Sequence, residues 1–245
     1  MKILVCLGQV PDTTSKISFT DNNSKLNSAG VQFIIGPYDE YALSKAIDLR
    51  EAKGGTVTVL TVALADAEPV IRKALAIGAD DAVRVDADPV DAFFVATQIV
   101  HYAKDKGFDM ILTGRESIDY NGGLVHGMVG ELLGWPSISP AMKLEVEGSS
   151  ATIHREIEGG KEVVEVPLPF VAGCQEPIAE WKIPNMRGIM TAKTKPLAVI
   201  PAVATSQAVT HSQYELPAGR TACKLIDPSN VGELVRLLKT EAKVI

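Results

Sequence analysis

Three short apolar runs in this 245-residue chain end in residues that could hold a ligand: Leu7-Gly8-Gln9, Val62-Ala63 and Thr113-Gly114-Arg115. In a parallel α/β sheet, ligands bind beyond the carboxyl ends of the strands, where strand order reverses, so these three ends define one candidate crevice. The third opens into Gly114-Arg-Glu-Ser-Ile-Asp-Tyr-Asn-Gly-Gly123 ahead of a helix-like segment. Glycines before a helix let backbone N–H groups approach a phosphate, and the positive end of the helix favours the anion. The loop matches neither G-x-G-x-x-G nor G-x-x-x-x-G-K-[ST], and on spacing alone it reads equally as a flexible turn.

Other chemistry finds little support. His126 lies in the helix after that loop, where it could touch a phosphate or simply pack, and His101, His154 and His211 fall on three separate elements. No H-x-x-x-H or H-E-x-x-H spacing occurs, so no metal site is expected. Ser117 and Ser137 lie in no G-x-S-x-G elbow, and no cysteine has an evident partner base. Cys6, inside an apolar run, reads as a small core hydrophobe. Glu156, Glu158 and Asp119 pair only on paper, so no catalytic residue is assigned and the chain reads as a nucleotide binder without bond-making chemistry. A second feature is Lys182-Ile-Pro-Asn-Met-Arg-Gly-Ile-Met190, with Ile183, Met186, Ile189 and Met190 in a Pro/Gly-punctuated stretch. It reads either as a helix start buried on its own core or as a flexible, methionine-rich docking surface.

The elements that must position these residues follow from periodicity. Apolar runs at 3–7, 56–64, 81–85 and 109–113 predict strands, and segments 39–53, 66–77, 89–106 and 122–133 predict helices, with Pro89 in the first turn of the third. This alternation predicts a doubly wound parallel α/β sheet covered on both faces. After Pro136, alternation over 142–147, 151–156 and 162–166, with Gly159-Gly160 between, predicts an added antiparallel hairpin. Residues 176–218 show little periodicity and are too long for a connecting loop, which predicts an extended arm wrapping another subunit. A short helix at 229–239 closes the chain, and residues 21–28 read as a polar loop. The division expected is a nucleotide-binding α/β domain over 1–185 and a recognition loop with arm over 186–245.

Charge and composition narrow the class. Thirty acids against 24 bases, a net charge of −6, give no electrostatic footprint for a nucleic-acid backbone. No apolar run reaches about 18 residues, so no membrane embedding is expected. Met1 leads into a strand without a signal peptide's basic head, and Cys6, Cys174 and Cys223 are odd in number and form no C-x-x-C pair. Both point to a reducing, cytoplasmic location.

Taken in order, these segments resemble the beta (small) subunit of electron transfer flavoproteins over nearly the whole chain. The carriers are Ile3-Leu-Val-Cys-Leu-Gly-Gln-Val-Pro-Asp-Thr13, Gly36-Pro-Tyr-Asp-Glu-Tyr-Ala42, Ile71-Arg-Lys-Ala-Leu-Ala-Ile-Gly-Ala-Asp80 and Gly114-Arg-Glu-Ser-Ile-Asp119. The hairpin Arg155-Glu-Ile-Glu-Gly-Gly-Lys-Glu162 with Pro167-Leu-Pro169, and Met186-Arg-Gly-Ile-Met-Thr-Ala-Lys193, complete the set.

The resemblance implies a Rossmann-like fold and a heterodimer with an alpha subunit that carries a redox-active FAD. It implies AMP in the beta subunit, or a second FAD in the NADH-dependent electron-bifurcating members. Electrons would come from acyl-CoA dehydrogenase-type flavoproteins and leave for a quinone-linked oxidoreductase, as in fatty acid oxidation. Carried over by position, the nucleotide touches Cys6, Gly36, Pro37, Tyr38, Asp39, Val62 and the loop from Met110 onward. That loop contributes Gly114, Arg115, Glu116, Ser117, Ile118, Asp119, Asn121, Gly122, Gly123, Leu124 and Val125. Tyr38 also faces the alpha subunit's flavin, and Met186, with Ile189 and Met190, falls where the family places its docking anchor. This chain departs from the family at Gly8 (usually lysine), Gly36 (usually asparagine), Leu124 (usually glutamine) and Trp181 (usually proline). It lacks the Gln-Val-Gly-Pro run of bifurcating members, so AMP is favoured over a second FAD. A stand-alone adenine-nucleotide binder explains the sheet but not the arm.

Overall fold

The computed structural model describes residues 1–219 and 222–245. In chain order the elements are β1 (Lys2–Cys6), β2 (Gln9–Pro11), β3 (Phe19–Thr20), β4 (Lys25–Leu26), β5 (Phe33–Ile35) and α1 (Pro37–Lys53). Then come β6 (Thr56–Ala63), a 3-10 turn at Ala65–Ala67 running into α2 (Glu68–Ile77), β7 (Asp81–Asp86), α3 (Ala92–Ala103), β8 (Met110–Gly114) and α4 (Val125–Leu133). The second half holds β9 (Ser137–Glu147), β10 (Ser150–Ile157), β11 (Gly160–Pro167), β12 (Phe170–Cys174), α5 (Met186–Ala192), β13 (Leu197–Pro201) and α6 (Val231–Leu237), followed by a π turn at Leu238–Ala242.

One nine-stranded sheet, ordered β11-β10-β9-β12-β8-β1-β6-β7-β13, organises the molecule. From β9 to β13 all neighbours run parallel, and β10 and β11 add the antiparallel meander at one edge. The central strands are apolar along their whole length because helices cover both faces. Side chains of β1 alternate between the two cores: Ile3 and Val5 join Leu43, Ile47, Ile71 and Leu75 of α1 and α2. Leu4 and Cys6 join Ala96 and Ile99 of α3 and Val129 of α4 on the opposite face. This is the doubly wound α/β architecture expected, with the added antiparallel strands in place.

Several boundaries differ from the sequence reading, each for a local reason. Helix α1 starts two residues early, at Pro37, because proline's fixed φ and missing N–H suit a helix's first turn. Pro89 does not open α3; Asp91 does, its carboxylate accepting the amide of Phe94 at 2.7 Å. Helix α4 starts at Val125, because Asn121 takes a left-handed φ of 49° and Gly122 turns back to pair with Ser117. The hairpin is a three-stranded meander, and Phe170–Cys174 is a further buried strand that periodicity alone did not mark. The stretch expected to be irregular over 176–218 contains α5 and the edge strand β13, the latter pairing with β7 from Leu197↔Ala82 to Pro201↔Asp86. Proline closes β13 at the sheet edge, where a missing donor is harmless.

Candidate functional site

Strand order fixes where a ligand can sit. The chain runs outward from β1 to β6 and β7, then returns to β8 on the other side of β1. The reversal leaves a crevice beyond the carboxyl ends of β1 and β8. Asp39, in the first turn of α1, fills its base. Its Oδ2 accepts the amide of Gly8 at 2.8 Å and its Oδ1 accepts the amide of Gly114 at 2.7 Å. One carboxylate thus ties both strand ends together. Its enclosure pushes the carboxyl up to about 7, against the two N–H groups that pull it down, with Asp119 and Glu40 adding repulsion. The same carboxylate raises the Cys6 thiol further above the value that burial alone sets, so Cys6 stays a neutral core thiol.

Glycine at 114 is required by this clamp. A Cβ there would lie 2.6 Å from Asp39 Oδ1 and 2.8 Å from Tyr38 Cβ. At Gly8 a Cβ would meet nothing closer than Asp39 Oδ2 at 3.5 Å, an ordinary contact.

The loop from Arg115 to Leu124 closes on itself through two backbone bonds between Ser117 and Gly122, at 3.0 and 3.2 Å. Asp119 Oδ1 accepts from Ser117 Oγ at 2.5 Å and from the amide of Tyr120 at 2.9 Å, which fixes the tip. Asn121, Gly122, Gly123 and Leu124 are exposed and lead into α4, which begins with no side-chain cap. The first-turn amides of a helix have no intrahelical acceptor. Gly122, three residues before α4, stands in open space, where an added Cβ would meet nothing within 4 Å. An anionic group such as a nucleotide phosphate fits that arrangement. Cys6 and Val62 stand at neighbouring strand ends on the α3/α4 face, within one apolar cluster. Val125 packs at the edge of the same cluster. Gly36, Pro37 and Tyr38 lead into Asp39, so the positions singled out from sequence converge on one end of the sheet. His126 is half-buried, and burial lowers its pKa, keeping the ring neutral near pH 7. The Ser137 hydroxyl bonds the His126 carbonyl at 3.1 Å and ties β9 to α4.

On the other flank, Arg115 lies over the ring of Tyr38, 4.9 Å from its centroid. Its guanidinium donates to Gln175 Oε1 at 2.8 Å and Glu116 Oε1 at 3.0 Å, and Gln175 passes the chain on to Glu156 Oε2 at 2.8 Å. Its Nε is buried and finds no acceptor among the described residues. Sequence reasoning missed Gln175, whose part in holding Arg115 depends on β12 lying beside β8. Ile118 sits partly buried inside the loop.

The 182–190 segment is exposed, not buried on its own core. Met186 is 75% exposed and Met190 70%, with Trp181, Ile183 and Ile189 also open to solvent. Helix α5, which carries Met186, Ile189 and Met190, is nonetheless held rigidly. Asn185 caps α5 by accepting from the amide of Gly188 at 2.8 Å. A Cβ on Gly188 would lie 2.2 Å from the carbonyl of Ala76, so α5 rests backbone to backbone on α2. Arg72 donates to the carbonyls of Ala192 and Lys195, both at 2.9 Å, closing the far end. A groove of about 530 Å3 between α2 and α5 is lined by Glu68, Arg72, Lys73, Ile189 and Lys193 among others. Gly188 is the residue whose role the sequence hid, because its contact is with a helix over a hundred positions away.

Among the described residues, no three His, Cys, Asp or Glu side chains converge as a metal site, and no helix is long and apolar enough to cross a membrane. The family model described as "Electron transfer flavoprotein domain" matches residues 24–205. A Bacillus subtilis protein named electron transfer flavoprotein subunit beta is 37% identical over 260 aligned positions, covering 100% of both chains. Its namesake from Syntrophomonas wolfei is 37% identical over 250 positions, covering 100% of this chain and 98% of the relative. The one from Megasphaera elsdenii is 33% identical over 254, covering 98% and 92%. With a matching domain over most of its length and full-length similarity to beta subunits on the same doubly wound sheet, the chain belongs to the electron transfer flavoprotein beta-subunit family.

Proposed function

We propose that this chain is the beta subunit of a heterodimeric electron carrier, binding AMP in its own crevice and completing the flavin site of an alpha subunit. FAD held by the alpha subunit would supply the redox chemistry, accepting electrons and handing them on. This chain contributes position and electrostatics. The α4 amides and the Gly122-Gly123 turn receive the phosphate, while Cys6 and Val62 bound the base. Tyr38, backed by Arg115, presents an oriented ring and a fixed positive charge toward the partner, and nearby charge is one of the means by which a protein tunes a flavin. Electrons would arrive from acyl-CoA dehydrogenase-type flavoproteins and leave for a quinone-linked oxidoreductase, and the arm beyond Tyr214 would wrap the alpha subunit.

The observation that carries this reading is the exposed apolar face of a rigid α5. Met186, Ile189 and Met190 form a small knob beside charged Arg187 and Lys193, which suits a transient interface where one or two residues dominate affinity. Nucleotide and flavin content of the chain co-purified with its alpha subunit tests the proposal, by denaturing release and chromatography. One FAD and one AMP per heterodimer support it. Two FADs and no AMP overturn the AMP assignment in favour of an electron-bifurcating role.

A further inference from the structure

The chain does not leave the body after β13. Val203 exchanges two hydrogen bonds with Gln98 on α3, its amide donating to Oε1 at 2.8 Å and its carbonyl accepting from Nε2 at 3.0 Å. Gln98 is 2% exposed, so this pair forms a fixed root. Five residues on, the amides of Ala208 and Val209 donate to Asp91 Oδ2 at 2.5 and 3.0 Å. That carboxylate's other oxygen caps α3, so one side chain both starts the helix and holds the segment crossing it. The segment then reaches the tip of the 115–124 loop. The hydroxyls of Tyr214 and Tyr120 lie 2.9 Å apart, and the ring of His211 sits 4.9 Å from that of Tyr120. Tyr214 also stacks on Phe19 at 5.1 Å, and its amide donates to the carbonyl of Asn23 at 2.7 Å.

We propose that residues 203–214 are a strap that closes the adenine-nucleotide site, with Tyr214 and His211 latching it onto Tyr120. The inference rests on the nucleotide reading given above. Tyr120 lies between Asp119 and Asn121, at the point where the loop turns toward the α4 amides, so holding Tyr120 holds the loop in its closed form. The root is buried and doubly bonded, whereas the latch is made of partly exposed rings at the surface. A segment so built opens from its latch end, because local opening is least costly where few groups are buried. The strap also joins three pieces distant in sequence: the β3–β4 hairpin, the nucleotide loop and the edge of the sheet. Because the arm continues from Tyr214 toward α6, anything that pulls on the arm acts first on the latch, and so on the nucleotide.

The test measures release of bound nucleotide into nucleotide-free buffer by dialysis, using the full-length chain co-purified with its alpha subunit. Chromatography identifies whichever adenine nucleotide emerges. Tyr214→Ala should release it about tenfold faster than wild type, the effect expected from losing one aromatic stack and one hydrogen bond. Tyr214→Phe keeps the stack and should fall between the two. Asp91→Asn keeps an oxygen to cap α3 but loses the second acceptor, and should accelerate release without lowering the melting temperature by more than a few degrees. Release as slow in Tyr214→Ala and Asp91→Asn as in wild type would overturn the strap while leaving the nucleotide reading intact. A wild-type heterodimer that yields no adenine nucleotide beyond the alpha subunit's single FAD on denaturation would overturn that reading and the strap with it.

Discussion

Asp39 Oδ1 accepts the amide of Gly114 at 2.7 Å, across 75 positions of sequence, at the point where the sheet reverses its strand order. Its other oxygen holds Gly8, so the carboxylate clamps the carboxyl ends of β1 and β8 at a fixed separation. Both strand-end amides are thereby satisfied from within the protein.

Gly114→Ala should therefore destabilise the fold by about 2 kcal/mol, since the new Cβ would overlap Asp39 Oδ1 and Tyr38 Cβ in a site with no slack. Gly8→Ala should change stability by no more than about 0.5 kcal/mol, because its Cβ makes only ordinary contacts. Denaturant melts of both variants check the pair. Equal costs at the two positions would show that the clamp does not dictate glycine.

The clamp also predicts a pH dependence. The enclosed Asp39 carboxyl titrates near 7, above the unfolded value of about 3.9. The folded state therefore binds more protons between those limits, and stability is lost as pH rises from about 4 to about 7. His126 acts in the opposite sense: burial lowers its pKa, so its contribution is lost as pH falls below about 6.5. Comparing melting temperatures of wild type and Asp39→Asn across pH isolates the carboxyl. Wild type should lose stability relative to the variant as pH rises through the window. The reverse slope would mean that the Gly8 and Gly114 amides outweigh burial.

What the sequence made legible was set by how local each cause is. The central strands are continuous apolar runs and α2 carries a regular apolar face, so both could be read directly, while α1, α3 and α4 were legible in place but not in where they start. The pairs that hold the crevice are long-range. Asp39 with Gly114, Arg115 with Gln175, and Asp91 with Val209 each bring together elements whose adjacency exists only once the sheet is ordered. Strand β12 went unmarked because Ala172 and Gly173 interrupt its apolar run with residues of weak strand preference. Helix α5 is seven residues long, too short for a periodic signal, and is made by its Asn185 cap and by the fit of Gly188 against Ala76.

That fit gives a docking test that leaves the knob itself unchanged. Gly188→Ala must push α5 away from α2, because the new Cβ would sit 2.2 Å from a backbone carbonyl that cannot yield. Met186→Glu instead keeps the helix and puts a charge on the anchor. Both should lower the apparent affinity of electron uptake from a dehydrogenase by about tenfold or more, the scale of a single interface hot spot. Flavin content should stay unchanged in both. Stopped-flow reduction with increasing dehydrogenase separates affinity from the transfer step, and wild-type kinetics in Met186→Glu would remove the docking role.

Removing the arm tests assembly, provided the cut respects the sheet. Ending the chain after Ala192 would delete β13, whose five-residue pairing with β7 covers the sheet edge, so instability there would say nothing about the partner. Ending after Ala202 leaves that strand whole and removes the strap, α6 and everything between. The exposed apolar side chains in that region, Val209, Leu216, Leu225, Val231 and Leu234, have little of this chain to cover them. Exposed apolar side chains of this number suit a surface that another chain covers. The shortened chain should fold, with a thermal transition lowered by the loss of the strap's bonds to Gln98 and Asp91, yet fail to co-purify with the alpha subunit. A stable heterodimer built on the shortened chain would place the interface on the sheet domain instead of on the arm.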